Sequence, residues 1–188
     1  LTITGGEPTE QADALADLFR EFNFRALTQK AVQLQGRVSE PAAKRSPRYR
    51  LADSLEALDA FTAELARQKT ISVDTETTNL WPRWAEIVGY SFAWKEDEAW
   101  YIPVRAPEGD PCLDPDTVLE KLRPILEDES IEKIGQNLKY DYVVLRSAGV
   151  RLAGIAFDTI VASYLLDAGS RNHTLDELAR RYLQHQTI

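Results

Sequence analysis

The stretch ISVDTETTNLWP, residues 71–82, places two carboxylates, Asp74 and Glu76, at the end of a short apolar run. Its first part predicts a β-strand. Side chains alternate between the two faces of a strand, so Asp74 and Glu76 point the same way, with Cα atoms about 7 Å apart. Two carboxylates this close repel each other unless a cation lies between them. Because Mg²⁺ and Mn²⁺ prefer such oxygen ligands, the stretch indicates either a metal site or a strand end that meets water.

A second acidic motif, GQNLKYD, begins about 60 residues after the first and ends on a third carboxylate, Asp141. It follows a short predicted strand, IEKIG, and opens a predicted helix with Asn137 as its N-cap and Gly149 as its stop. The motif also offers amide groups for hydrogen bonding and a tyrosine ring that can pack on a base or a sugar. The inner face of this helix is predicted to consist of Leu138, Tyr142 and Leu145.

The rest of the chain from residue 54 shows strand and helix patterns in turn. Helices are predicted after Ser54 and Asp114, and strands at residues 86–95 and 98–104 form a hairpin. Two further helices are predicted within residues 154–169 and 174–183, with Asp158 as an N-cap rather than a metal ligand. Strands grouped early and helices interleaved later predict an α/β fold, a mixed sheet flanked by helices.

Residues 1–50 are predicted to lie outside this α/β domain. Residues 10–27 have the apolar spacing of an amphipathic helix, and residues 37–50 contain Pro41, Pro47 and a basic cluster typical of a linker. The length of 188 residues fits one domain with an appendage. Neither a signal peptide nor an apolar run of roughly 20 residues is present, so we expect a cytoplasmic protein.

The charge balance limits the kind of nucleic-acid contact that the chain can make. Its net charge is −8, and it contains one cysteine, Cys112, without a nearby histidine or second cysteine. The negative charge excludes a protein that holds nucleic acid by bulk attraction, which requires excess lysine and arginine. It is compatible with an enzyme that meets phosphate through metal ions held by its own carboxylates.

Together, VDTETTNL and GQNLKYD resemble the first two motifs of the 3′→5′ proofreading exonuclease domain of bacterial DNA polymerase I, a family with four acidic metal ligands. The similarity continues through LAGIAFDTIVASYLLDAG and HTLDELARRYLQHQTI, so residues 51–188 are expected to form this domain. Residues 1–50 resemble, more loosely, the end of the preceding 5′ nuclease domain with a basic linker. The resemblance implies an RNase H-like fold, a single-stranded DNA 3′ end as substrate, and a covalently linked polymerase domain in a bacterial parent protein.

The resemblance also implies a role for each matched residue in two-metal hydrolysis of the 3′-terminal phosphodiester. Asp74 would bridge two divalent ions, Mg²⁺ or Mn²⁺ with Zn²⁺ as an alternative, and Glu76 would hold the first ion and accept a hydrogen bond from the 3′ hydroxyl. Asp141 would help to hold the second ion through water. Leu80 matches the apolar residue that wedges beside the last base. The remaining matches line the single-strand path: Thr77, Gln136, Asn137 and Tyr140.

The chain departs from the family pattern in one respect. The third motif of the family, Tyr-x-x-x-Asp, does not occur after Asp141. The chain therefore holds three of the four acidic ligands, and we expect it to be a weak nuclease by itself. Two alternatives stay open, an RNA-trimming exonuclease with the same carboxylates and a catalytically silent domain of a polymerase. Trp81 and Trp84, which follow Leu80, are candidates to border the DNA path.

Overall fold

The computed structural model describes residues 17–19, 21, 47–183 and 185. The chain divides into two compact units, residues 1–45 and 46–188. In the first unit the four described residues are helical, and the rest of the helix predicted for residues 10–27 lies outside the described residues. The assignment of residues 1–50 to a preceding domain and a linker stays a prediction. Within the residues that the structure describes, no helix has the length and hydropathy needed to span a membrane.

The second unit is built on a mixed sheet of six strands in the order β1-β4-β3-β2-β5-β6. The central strand β2 pairs antiparallel with β3 and parallel with β5, while β1 and β6 lie at the two edges. The strands are β1 (Arg48–Leu51), β2 (Thr70–Thr77), β3 (Ile87–Lys95), β4 (Glu98–Pro103), β5 (Glu132–Gly135) and β6 (Ile155–Asp158). A mixed sheet of this kind confirms the predicted α/β class.

Five α-helices connect and flank the strands. They are α1 (Leu55–Leu65), α2 (Pro115–Leu126), α3 (Leu138–Ser147), α4 (Thr159–Leu166) and α5 (Leu175–Leu178), and a π-helical segment, Ala179–Leu183, follows α5. The predicted starts of α1 and α2 are confirmed. The Ser54 hydroxyl accepts from the Ala57 amide at 3.2 Å, and the Asp114 carboxylate accepts from the Thr117 amide at 2.8 Å. Each cap satisfies a backbone donor that the first helical turn leaves unpaired.

The core lies between the helices and the sheet and includes a group of aromatic rings. Phe61 of α1 packs against Phe92, Trp94 and Trp100 of the β3-β4 hairpin, with ring centroids 5.3 to 5.9 Å apart. These tilted arrangements are favourable for aromatic pairs. The packing fixes α1 over β3 and β4, which in turn hold the central strand β2 by antiparallel pairing.

Two edge strands were not predicted from the sequence. Arg48–Leu51 forms β1, although residues 37–50 were interpreted as a linker, and Ile155–Asp158 forms β6, although residues 154–169 were predicted as one helix. Each edge strand has four residues, too few to show a clear alternation of apolar and polar side chains. Their conformation depends on pairing with β4 and β5, which lie far away in sequence.

Candidate active site

The two carboxylates of the opening stretch lie on one face of β2, as predicted. Asp74 stands opposite Ser91 of β3, and Glu76 stands opposite Gly89. Both acidic residues are exposed, whereas Thr75 between them is only 7% exposed. The alternation of the strand therefore presents two carboxylates at its carboxyl end while the intervening side chain is buried.

Asp141 joins the first turn of α3 to β2. Its carboxylate Oδ1 accepts a hydrogen bond from the Thr75 amide at 2.9 Å and another from the Thr75 hydroxyl at 2.7 Å. Asp141 is 2% exposed and lies on the inner face of α3, while Tyr142 is 37% exposed. The prediction that Tyr142 faces the core was therefore wrong. A buried carboxylate takes the inward position because Thr75 supplies the hydrogen bonds that it needs.

All eight residues to which the family resemblance gives a role line one cavity of about 440 Å³, here called the acidic cavity, whereas Trp81 and Trp84 are not among its lining residues. The eight residues are Asp74, Glu76, Thr77, Leu80, Gln136, Asn137, Tyr140 and Asp141. Leu80, which is 91% exposed, belongs to the loop at residues 78–86 that follows β2. The structure thus brings together two motifs that lie about 60 residues apart in the sequence.

Tyr140 fixes the wall of the acidic cavity on the side of this loop. Its hydroxyl forms a hydrogen bond with the Thr77 hydroxyl at 2.6 Å and donates to the Asn79 carbonyl oxygen. The Thr77 hydroxyl also donates to the Asn79 carbonyl oxygen, at 3.3 Å. Because the two hydroxyls carry one proton each, two of these three contacts are hydrogen bonds at any one time, and they hold the start of the loop, and with it Leu80, against α3.

The two amide side chains of the second motif differ in their hydrogen bonding. Gln136 donates through Nε2 to the His173 carbonyl oxygen at 2.8 Å and accepts through Oε1 from the Thr159 hydroxyl. Its amide therefore holds Gln136 in place in the cavity wall through hydrogen bonds to these two residues. Asn137 occupies the N-cap position of α3, as predicted, but it has φ of 61° and its side chain makes no capping hydrogen bond. Its Oδ1 is buried without a hydrogen-bond partner among the described residues, although Asn137 belongs to the lining of the acidic cavity.

The electrostatics of the acidic cavity are unfavourable for an isolated protein. Although Asp74 is exposed as a whole residue, partial desolvation of its carboxylate, followed by the negative charges of Asp141 and Glu76, raises the pKa of Asp74 to about 6. Burial also raises the pKa of Asp141, although its hydrogen bonds from Thr75 act in the opposite direction. Between residues 47 and 183, none of these three carboxylates forms an ion pair with a lysine or arginine. Such a cluster is stabilised by a hard divalent cation.

In the acidic cavity two exposed carboxylates, rather than three, are available to bind a metal ion directly. Within the described residues, no group of three or more His, Cys, Asp or Glu side chains is arranged to hold one ion. The reason lies in Asp141, whose Oδ1 is already occupied by the two hydrogen bonds from Thr75. Asp74 and Glu76 have no such internal bonds among the described residues. The donor set consists of carboxylate oxygens, which Mg²⁺ and Mn²⁺ prefer.

One further residue beside the site was missed in the sequence. Tyr101 of β4 extends over Gly89, where a Cβ atom would lie 2.2 Å from its hydroxyl oxygen. Since Gly89 stands opposite Glu76, this places the phenol beside the Glu76 carboxylate. Burial, and then the charge of Glu76, raises the pKa of Tyr101. A glycine within a predicted strand marks close approach of another group, and this was the available signal.

Comparisons with known proteins agree with this architecture. A family model described as 3′-5′ exonuclease matches residues 49–188. DNA polymerase I of Pseudomonas aeruginosa is 37% identical over 195 residues, which cover 97% of this chain and 21% of that protein. The chain therefore spans about a fifth of the length of this relative.

Solved structures show the same fold. The polymerase domain of Pol1 from M. smegmatis, in complex with DNA primer-template and dNTP, is 26% identical with a TM-score of 0.58, covering 74% of this chain and 23% of that chain. Trypanosoma brucei RNase D with GMP has a TM-score of 0.63 at 19% identity, covering 75% and 43%. Brucella melitensis NrnC with bound Mg²⁺ has a TM-score of 0.55 at 22% identity, covering 76% and 64%. The last two show the fold alone.

The mixed six-stranded sheet with flanking helices matches these exonuclease structures, so the predicted RNase H-like fold is confirmed. Because the family model matches residues 49–188 and the Pseudomonas relative aligns with nearly the whole chain, the chain belongs to the 3′-5′ exonuclease family and is homologous to bacterial DNA polymerase I.

Proposed function

We propose that the chain is the 3′→5′ proofreading exonuclease domain of a cytoplasmic bacterial DNA polymerase I. It removes mispaired nucleotides from the single-stranded 3′ end of DNA during replication and repair, and a covalently linked polymerase domain supplies that end. The observation that carries the proposal is the convergence of Asp74, Glu76 and Asp141 on one open cavity in a chain of this family. Carboxylates without a cationic partner are what metal-assisted hydrolysis of a phosphodiester requires.

The residues of the acidic cavity fit two divalent ions, Mg²⁺ or Mn²⁺, with Zn²⁺ as an alternative. Asp74 would contact both ions, Glu76 would hold the first, and Asp141 would act on the second through water, because one of its oxygens is engaged by Thr75. When bound, such ions supply a hydroxide nucleophile near neutral pH and stabilise the leaving 3′ oxygen. With its pKa at about 6, Asp74 is ionised at neutral pH and available as a ligand.

The other residues of the cavity position the terminal nucleotide without reading its base. Leu80 stands exposed at the rim, where its side chain packs beside the last base. Gln136 and Asn137 line the cavity beside the position of the terminal nucleotide. Thr77 and Tyr140 hold each other and the loop that carries Leu80. Apolar and stacking contacts tolerate every base, as proofreading requires.

Digestion of 5′-labelled single-stranded DNA in Mn²⁺ or Mg²⁺ tests this proposal. We expect slow shortening from the 3′ end in steps of one nucleotide, since the chain holds three of the four acidic ligands of the family. Asp74→Asn should abolish the shortening. The matched control is Asp110→Asn, which makes the same charge change at an exposed residue outside the acidic cavity and should leave the activity unchanged.

A second readout is independent of turnover. Mn²⁺ should raise the melting temperature of the unaltered chain and of Asp110→Asn, and should have little effect on Asp74→Asn. Equal activity of the two variants, or shortening from the 5′ end, would contradict the proposal. An RNA strand that is degraded much faster than DNA would favour the RNA-trimming alternative. Absence of both hydrolysis and Mn²⁺ stabilisation would favour a catalytically silent domain.

A further inference from the structure

A second cavity, of about 400 Å³, lies beside α3 and is here called the arginine cavity. Its lining combines Arg83 of the loop at residues 78–86 with four residues of α3: Tyr142, Val143, Arg146 and Ser147. None of its lining residues in the described part of the chain is acidic. Tyr142 and Arg146 are four residues apart on the helix, so their side chains are neighbours on one face.

The two arginines of this cavity are not used by the fold. Neither guanidinium has an ion pair or a side-chain hydrogen bond with any residue between 47 and 183. Other arginines in this range pair with carboxylates, such as Arg180 with Glu177 at 2.7 Å. In a chain with a net charge of −8, two unpaired arginines that line the same cavity form a site for an anion. Arginine is particularly suited to phosphate because its planar guanidinium donates two parallel hydrogen bonds.

Aromatic side chains accompany the arginines at the surface. Tyr142 is 37% exposed and Trp84 is 72% exposed. Trp84 and Arg83 together line the next cavity along the loop. Exposed aromatic rings beside cationic groups are the combination that binds single-stranded nucleic acid, because bases stack on the rings while the cations contact phosphates.

The arginine cavity and the acidic cavity are built from the same two elements. The loop carries Leu80 into the acidic cavity and Arg83 into the arginine cavity. Likewise, α3 carries Asp141 into the first and Arg146 into the second. Asp141 and Arg146 are separated by about 7.5 Å along the helix axis and by about 140° around it, so a strand that contacts both cavities follows the surface of α3 from one to the other.

We propose that the arginine cavity binds the phosphate backbone of single-stranded DNA a few nucleotides upstream of the 3′ end, with Arg83 and Arg146 on phosphates and Tyr142 and Trp84 on bases. This inference rests on the proposed function, because it takes the 3′ end to lie in the acidic cavity. It adds a site where the upstream strand is held while the terminal nucleotide is removed. It also explains how a protein with a negative net charge binds a polyanion.

Fluorescence anisotropy with 5′-labelled oligothymidylates of three and ten nucleotides tests the proposal, with Ca²⁺ in place of Mg²⁺ to slow hydrolysis. Removal of one arginine that binds a phosphate should reduce the slope of log K against log salt by about 0.7, and weaken binding about fivefold at about 0.1 M salt. Arg83→Ala and Arg146→Ala should each show this with the ten-nucleotide strand. The double variant should lose about 25-fold in affinity. The three-nucleotide strand, which ends near the acidic cavity, should show much smaller losses.

Arg67→Ala is the matched control. Arg67 is exposed, has no ion pair among the described residues and precedes the end of β2 that is distal to Asp74 and Glu76. Thr70 and Thr77, the two ends of β2, are about 23 Å apart. This variant should bind both strands as the unaltered chain does, and far-UV circular dichroism should show that all variants are folded.

The outcomes separate this inference from the proposed function. Losses in the double variant no larger than in Arg67→Ala, together with normal digestion of DNA, would overturn the arginine cavity as a DNA site and leave the exonuclease proposal intact. That result would point to a protein surface as the occupant. Failure of the unaltered chain to bind the ten-nucleotide strand at all would overturn both.

Discussion

A single carboxylate, that of Asp158, caps two helices, and its replacement by asparagine should destabilise the domain strongly. Oδ2 accepts from the Leu138 amide at 2.8 Å, and Oδ1 accepts from the Asn137 amide at 3.0 Å. Oδ1 also accepts from the Ile160 amide, at 2.9 Å. The same carboxylate therefore accepts from backbone N–H donors at the start of α3, which carries the second motif, and at the start of α4, which directly follows Asp158 in sequence.

The expected loss follows from these bonds. In Asp158→Asn, one oxygen becomes an amide nitrogen, which donates and faces a backbone donor, so at least one partly buried hydrogen bond is lost at a cost of about 1 to 3 kcal/mol. Removal of the negative charge from two helix N-termini adds a further loss of stability of about 0.3 to 1 kcal/mol at each helix. We expect the free energy of unfolding to fall by about 2 to 4 kcal/mol. For a domain of this size, that lowers the melting temperature by roughly 5 to 15 °C.

Asp114→Asn is the matched control, because it makes the same change at a residue that caps α2 alone. Asp114 accepts from the Thr117 amide and hydroxyl, both at 2.8 Å, in an exposed position. Asparagine is about as good an N-cap as aspartate there, so the loss should be limited to that of the charge at one helix N-terminus, about 0.3 to 1 kcal/mol. Urea unfolding followed by far-UV circular dichroism measures both values. If the two variants lose the same stability within error, the double capping by Asp158 is not what holds α3 and α4.

Two further predictions concern buried and left-handed positions. Burial raises the pKa of Tyr90 to about 12, so its stabilising contribution is present below pH 10 and is lost as the pH rises towards 12. Between about pH 9 and about pH 11 this group should lower the free energy of unfolding by about 1.4 kcal/mol, and Tyr90→Phe should lose less by that amount in urea unfolding; identical losses in the two proteins would contradict the burial of the phenol. Gly149 and Gly154 have φ of 83° and 68°, but only at Gly154 would a Cβ meet a backbone oxygen, that of Ile131, at 2.4 Å. Gly149→Ala should cost about 1 kcal/mol and Gly154→Ala clearly more, and equal melting temperatures would refute this difference.

The elements that were predicted correctly are determined by residues that lie close together in the sequence. The Ser54 cap of α1, the Asp114 cap of α2 and the hairpin turn at Asp97 depend on residues within a few positions of each other. The placement of the eight site residues in one cavity came from the resemblance of two short motifs to a known family, not from periodicity. The sequence alone left the Asp74-Thr75-Glu76 triplet undecided between a metal site and an ordinary strand end.

The features that were missed depend on contacts between distant residues. The Asp158 carboxylate was predicted to cap its own helix, and this is confirmed, but its bonds to α3 join residues 20 and 21 positions apart. Tyr142 appeared to belong to the core because apolar spacing was the only guide to the inner face. The actual inner residue, Asp141, is polar and becomes recognisable only once Thr75 is known to lie beside it.

The pattern of carboxyl pKa values across the chain separates the site from the rest of the surface. Among the described acidic residues with a shifted pKa, those outside the acidic cavity have a lowered pKa because of their hydrogen-bond partners. The hydrogen bond from Lys95 lowers the pKa of Glu98, and the hydrogen bonds from Thr117 lower the pKa of Asp114. The two whose pKa is raised, Asp74 and Asp141, both line that cavity. In the residues whose pKa is lowered, a local donor stabilises the negative charge. At the acidic cavity the fold places negative charges together with no lysine or arginine pairing with them between residues 47 and 183, an arrangement that lowers stability and is retained where a positively charged ligand binds.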